Sequence, residues 1–248
     1  MARVSVAPVL GTAGFVGAWW AAVVVFDLAP YVAPAPPAVA AAFARMPGYL
    51  LRNAGVTLAE ALAGFCLALA TAVVLGAALA ASRRLGRALQ PTLLLLSAIP
   101  KPALAPLLIA IGGFGHGPKI VLVWLMCFFP VAVATSTGLS TTPADLVDLA
   151  RALTASRWTT FVTFRLPAAL PHIFQGLKTA LPLSVIGAVV AELFGSVAGL
   201  GYVISTAGTD AALAFAAVAL LGALSIALFY LLTAAERRIA PWIHHTHA

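Results

Sequence analysis

The sequence predicts an all-α protein embedded in a membrane, with about six spanning helices. Composition, the lengths of the apolar runs and the placement of basic residues all point there. The 248 residues are 62% hydrophobic and 8% charged, with a mean hydropathy of +1.06. Soluble domains carry about 25% charged residues, so this chain lacks the polar surface to face water. Apolar runs fall at 8–28, 54–82, 91–112, 119–138, 176–197 and 211–234. Each is about 20 residues or longer, enough at ~1.5 Å per residue to cross ~30 Å of hydrocarbon. Backbone polar groups in lipid must be satisfied within their own segment, which makes the runs helices. No barrel-like alternation interrupts them. Residues 1–248 therefore read as one transmembrane domain.

The net charge of +7 and pI near 10.1 do not indicate a nucleic-acid partner, because the fourteen Lys and Arg are scattered between apolar stretches. Their positions set an orientation. With six spans and the N-terminus inside, Arg3, Arg83, Arg84, Arg87, Arg151, Arg157, Arg165, Arg237 and Arg238 fall on the cytoplasmic side. Arg45 and Arg52 fall outside, and Lys101, Lys119 and Lys178 lie near or inside spans. Positive residues accumulate on the cytoplasmic side, so both termini are expected there, in a plasma (inner) membrane. Cys66 and Cys127 lie in apolar runs without metal-ligand spacing, and neither a disulfide nor a metal site is expected. The first apolar run lacks a small-residue cleavage site and reads as a retained helix.

Along the chain, the connection from Ala29 to Arg52 carries Pro30, Pro34, Pro36, Pro37 and Pro47, which favour extended, polyproline-like backbone in its first half. Gly64, Gly76, Gly112, Gly187 and Gly222 would let helices approach closely, although an alanine-rich composition yields part of the same pattern. Pro100, Pro102 and Pro106 interrupt the third run around Lys101. Such breaks are tolerated where they line a cavity or pack on protein, so Pro100, Lys101 and Pro102 are candidates for a translocation path or for a structural kink. Glu60 and Glu192 are ionisable residues within spans. They either line a path or pair with Lys101, Lys119 or Lys178. Gly112–Lys119 superficially resembles a phosphate loop but lacks the Gly-Lys-Ser/Thr ending, so the chain has no ATP site of its own. His244, His245 and His247 form a terminal tail with no supporting Cys or carboxylate cluster, and no cofactor is expected.

Residues 139–175 are too polar to span and too long for a simple turn. Thr142 as N-cap, Pro143 at the first position and Asp145 after it predict a helix start. Leu146, Leu149, Ala150 and Leu153 then make an i, i+3, i+4, i+7 stripe. Ser156 is placed to cap a second short helix bearing Trp158, Phe161 and Val162, which Pro167 would close. An apolar face on such a projecting helix needs the bundle, the lipid interface or another subunit to cover it.

Asp148-Leu149-Ala150, Thr154, Phe164 and Leu166-Pro167 have the spacing of the cytoplasmic motif of binding-protein-dependent ABC importer permeases: Glu-Ala-Ala, three residues, Gly, nine residues, Ile, one residue, Leu-Pro. Ala150–Trp158, Ala98–Leu107, Ala191–Gly195 and Gly199–Tyr202 are similar to the branch that handles nitrate, sulfonates, taurine, bicarbonate and thiamine precursors. The resemblance spans residues 50–240. It implies a type I importer-like bundle whose loop, through Asp148, Leu149, Ala150, Leu153, Thr154, Leu166 and Pro167, docks on a cytoplasmic ATPase. It further implies a periplasmic or lipid-anchored solute-binding protein, a second permease subunit completing the path, most simply a homodimer, and a small anion or small heterocycle as solute. Asp148 keeps the motif's charge, whereas Thr154 replaces a glycine that would bend freely. The rival on residues alone is a proton-coupled secondary transporter using Glu60 or Glu192. No nucleophile–base cluster suggests a membrane enzyme.

Overall fold

The computed structural model describes residues 6–244, all of their regular structure helical. The chain runs through α1 (Val6–Val25), α2 (Pro36–Arg45), α3 (Pro47–Ala81) and α4 (Arg83–Ala98). A 3₁₀ turn at Lys101–Leu104 leads into α5 (Ala105–Gly112), followed by α6 (His116–Ser140), α7 (Ala144–Ala152) and α8 (Arg157–Thr160). A π turn at Phe161–Arg165 joins α8 to α9 (Leu166–Phe194), and α10 (Leu200–Thr206) and α11 (Ala211–Ile239) complete the bundle. Four stretches are long and apolar enough to cross a membrane: α3, α6, Trp158–Phe194 and α11. The α4–α5 pair, bent by 74°, has the length and composition of a fifth if its two halves are taken as one broken span, and α1 is a further apolar helix of 20 residues.

Helix α6 is the axis of the core, with α3 on one side and α9 on the other. Lipid offers leucine no reason to leave it, so close van der Waals contact must hold these helices together. Glycines provide it. A methyl group on Gly64 would overlap Val123, and one on Gly76 would come within 2.6 Å of Thr135 Cβ. On the other side of α6, Gly176 faces Ala134, Gly187 faces Val123 and Met126, and Gly138 faces the Ala169 carbonyl. Gly112 packs on Pro118, whereas Gly222 has open space where its side chain would be.

Prolines act differently in different places. The extended backbone expected after Ala29 stops at Ala35 (φ −67°, ψ 148°), because Pro36 and Pro37 open α2 instead. Proline in a first helical turn lacks only an N–H that has no intrahelical partner, so the pair starts a helix rather than preventing one. Pro100 has the opposite effect. Its ring forces Ile99 into extended geometry (φ −65°, ψ 129°), and the third apolar run becomes two helices meeting at a break. Pro130, Pro171 and Pro182 lie inside α6 and α9 without ending them.

Candidate functional site

Three places hold the residues with chemistry. The first is the connection from α6 to α9. Thr142 does not cap α7. Its hydroxyl donates to the Leu139 carbonyl at the end of α6 (3.3 Å), and the Pro143 carbonyl accepts the first bonds of α7. Pro143, whose carbonyl takes those bonds directly before Ala144, stands at the N-cap position, one residue past Thr142. Ser156 does cap the second helix, accepting from the Thr159 N–H at 3.1 Å. Pro167 does not close it. The π turn shifts the ladder by one residue, with the Leu166 N–H donating to the Phe161 carbonyl, and the helix runs on into α9 with Pro167 in its first turn.

The apolar stripe of α7 is divided. Ala150 is buried and Leu146 half-buried, while Leu149 is 48% and Leu153 63% exposed. Trp158, stacked on Phe161 at 6.1 Å, is 73% exposed. Asp148 is exposed beside Leu149, and Leu166 and Pro167 are half-buried at the root of α9. Thr154 takes up the left-handed conformation, φ +49°. The Leu153 N–H donates to the Leu149 carbonyl and the Ala155 N–H reaches the Ala150 carbonyl, both at 3.0 Å. This is the pattern of a Schellman C-cap with Thr154 in the position glycine usually takes. The bend survives the substitution, and the β-branched side chain bears the strain.

The second place is a cavity of about 820 Å³ beside the α4–α5 break, walled by α6 and the first half of α9. Pro100, Lys101 and Pro102 line it; Glu60 and Glu192 do not. Its polar lining comes from Ser97, Thr137, His172, Gln175 and Thr179 as well as Lys101. The Lys101 ammonium donates to the Ser97 carbonyl at 2.5 Å and lies 4.9 Å from the centroid of the Phe129 ring.

The third place holds the two glutamates, both buried where α3, the start of α6 and the end of α9 meet. Glu60 Oε1 accepts from Lys119 Nζ at 2.8 Å and lies 2.7 Å from Nδ1 of the exposed His116. Lys119 also donates to Ser196 Oγ at 2.7 Å, and the Ser196 hydroxyl donates to the Ala198 carbonyl. Glu192 accepts from the Thr57 hydroxyl at 2.8 Å and from the Gly201 N–H at 2.6 Å. Thr57 Oγ1 accepts from the Leu200 N–H, and Asn53 Oδ1 from the Gly199 N–H, each at 2.8 Å. The α9–α10 connection is thus pinned to α3 through its backbone. Gly199 has φ +107°, and a side chain there would collide with the Glu192 carboxylate. Lys119, in the segment resembling a phosphate loop, is committed to this ion pair. Lys178 pairs with Glu236 of α11 at 2.5 Å.

Asn53, Thr57, Ser196 and Glu236 were not singled out by sequence reasoning. Asn53, Thr57 and Glu60 recur at i, i+4 and i+7, and this polar stripe within an apolar run was the available signal. His245 and His247 of the terminal tail, and Arg3, lie outside the described residues.

Comparison with known proteins agrees with this architecture. Residues 72–244 match the family described as the binding-protein-dependent transport system inner membrane component. A probable ABC transporter permease protein of Haemophilus influenzae is 37% identical over 81% of this chain and 82% of its own length. The riboflavin transport system permease protein RibX of Chloroflexus aurantiacus is 36% identical over 90% of this chain and 85% of its own. The taurine transport system permease protein TauC of Escherichia coli is 31% identical over the same shares. A chain from inward-facing structures of the MetNI methionine ABC transporter shares the fold, with a TM-score of 0.66 at 21% identity over 80% of this chain and 98% of that one. The chain therefore belongs to the binding-protein-dependent permease family: it is a non-enzymatic, multi-pass inner-membrane subunit of an ABC importer of small solutes, worked by a separate ATPase and served by a solute-binding protein.

Proposed function

We propose that this permease moves a small anion or a small heterocycle by alternating access, as one half of a homodimer with the membrane lipid around it. In this reading the cavity beside the α4–α5 break is half of the path, and Pro100, Lys101 and Pro102 form its rim. The loop at 143–166 receives the ATPase stroke in the cytoplasm, where both chain termini also lie. The observation that carries the reading is the exposed row Leu149, Leu153 and Trp158 on a capped, bundle-rooted helix pair. Apolar side chains left in the open on a rigid element are what a partner's cleft covers.

Asp148, Ala150, Thr154, Leu166 and Pro167 support that row rather than duplicate it. Ala150 ties α7 to the bundle, Thr154 sets the bend, and Leu166-Pro167 roots the pair in α9, so displacement of the row is passed to a wall of the cavity. Glu60 and Glu192 hold the opposite end of the bundle together in this reading. Family membership assigns the energy source to an ATPase, which removes the support for a proton-coupled transporter built on those glutamates.

The test is the pair Leu149→Asp and Leu153→Asp in the full chain expressed with its ATPase. Two buried apolar anchors of an interface are worth about 2 kcal/mol or more each, so co-purification of the ATPase should fall at least about tenfold and uptake with it. Retained ATPase binding with normal uptake sinks the docking reading.

A further inference from the structure

Three lysines lie in or beside the apolar helices, and their fates differ. Lys119 is neutralised by Glu60 and Lys178 by Glu236. Lys101 has a carbonyl and a ring face as partners, and neither carries a negative charge. None of the chain's seven acidic residues lines the cavity into which Lys101 projects. Among the described lining residues Lys101 is the one cationic side chain, set among hydroxyl, amide and imidazole groups on an otherwise apolar wall. An uncompensated ammonium at membrane depth is costly, and the cost falls when the occupant of the cavity supplies the counter-charge.

We infer that Lys101 is the charge-selecting residue of the cavity, and that the transported solute is a small organic anion with an apolar body rather than a neutral heterocycle. This rests on the reading of the cavity as the solute path. The ammonium engages the anionic group, and Ser97, Thr137, Gln175 and Thr179 are the neutral hydrogen-bonding side chains that line the same cavity. Phe129 and the aliphatic wall cover the remainder. In a two-subunit assembly each copy would contribute one such lysine, and cations would meet a like charge on either side.

The experiment reads the sign of the cavity directly, whichever solute the permease carries. A thiol is placed on the wall by Thr179→Cys in the full-length chain carrying Cys66→Ser, in phosphatidylcholine nanodiscs at pH 8, above the ordinary histidine range. Its modification rates by an anionic thiosulfonate reagent (ethylsulfonate) and a cationic one (ethyltrimethylammonium) are compared with those of free mercaptoethanol. One uncompensated charge that favours the anionic reagent over the cationic one by ~1 kcal/mol in all should raise the anionic-to-cationic ratio about fivefold above the free thiol. Lys101→Gln should abolish the preference and Lys101→Arg should keep it. A ratio indifferent to Lys101→Gln overturns the assignment. So does a preference that disappears when phosphatidylglycerol is added, which would make a lipid phosphate the counter-ion. A thiol reached by neither reagent overturns the cavity reading beneath it, while the ATPase-docking test stands apart from all three results.

Discussion

At Thr154 a single side chain decides whether the loop keeps its bend. The residue occupies the left-handed region at φ +49°, and the 6→1 bond from Ala155 to Ala150 depends on it. A β-branched residue there costs roughly 1–2 kcal/mol relative to glycine, less the greater freedom glycine loses on folding. Thr154→Gly should therefore stabilise the cap by about 1 kcal/mol, slowing amide exchange at Ala155 about fivefold. Faster exchange in the variant would show that the threonine is held by something other than the cap. The motif spacing picked out Thr154 as the odd residue, and left open whether the chain would abandon the bend or strain to keep it. A backbone angle is fixed by the bonds on both sides, which is why the answer came only from the structure.

Among the elements, α6 owes its central position to glycines that it and its neighbours turn toward one another. Small residues were conspicuous in every apolar run, and the run in which each lies was plain. Which of them pack was not, since an α-helix of apolar residues has no unique inward face in an apolar solvent. The contrast between Gly176 and Gly222 makes this testable. Gly176→Val places branched carbons against Ala134 and should cost about 1–3 kcal/mol by overpacking, lowering the melting temperature of the protein in detergent. Gly222→Val enters open space and should leave it unchanged. Equal effects would mean that α6 is not held by close approach. The prolines carry the same lesson. Pro100 breaks a helix because Ile99 must be extended before it, whereas Pro36 and Pro167 sit in first turns where no bond is lost. The sequence marked all three as interruptions, because residue type alone does not reveal where a helix starts.

On the scale of the whole molecule, the proposal requires the α7–α8 pair and both termini to share the side of the ATPase. Nine Lys and Arg on that side against two on the other make this the expected insertion. A fluorescent protein fused after Ala248 should fluoresce, and alkaline phosphatase fused there should be inactive. With the phosphatase fused in the Ala29–Arg52 connection it should be active. The reverse pattern would put Leu149 and Leu153 beyond the reach of any cytoplasmic motor.

Composition and run length by themselves determined that the chain is helical and membrane-spanning, because hydrocarbon leaves the backbone no other way to satisfy its polar groups. Motif spacing pointed to the family, which the match over residues 72–244 shows, and singled out the loop for which docking on the ATPase is proposed. The tertiary structure alone decided the partners of the buried charges. From their sequence positions Glu60 and Glu192 were free to face a path or to pair with any of three lysines; Glu60 pairs with Lys119, 59 positions away, and Glu192 accepts from the N–H of Gly201, 9 positions away. Lys101, set apart in sequence by the prolines on either side of it, is the one of the three lysines that lines the cavity. Ion pairing in a membrane is set by which helices touch, and the contacts among uniformly apolar helices are specified by close packing that no single-residue property encodes.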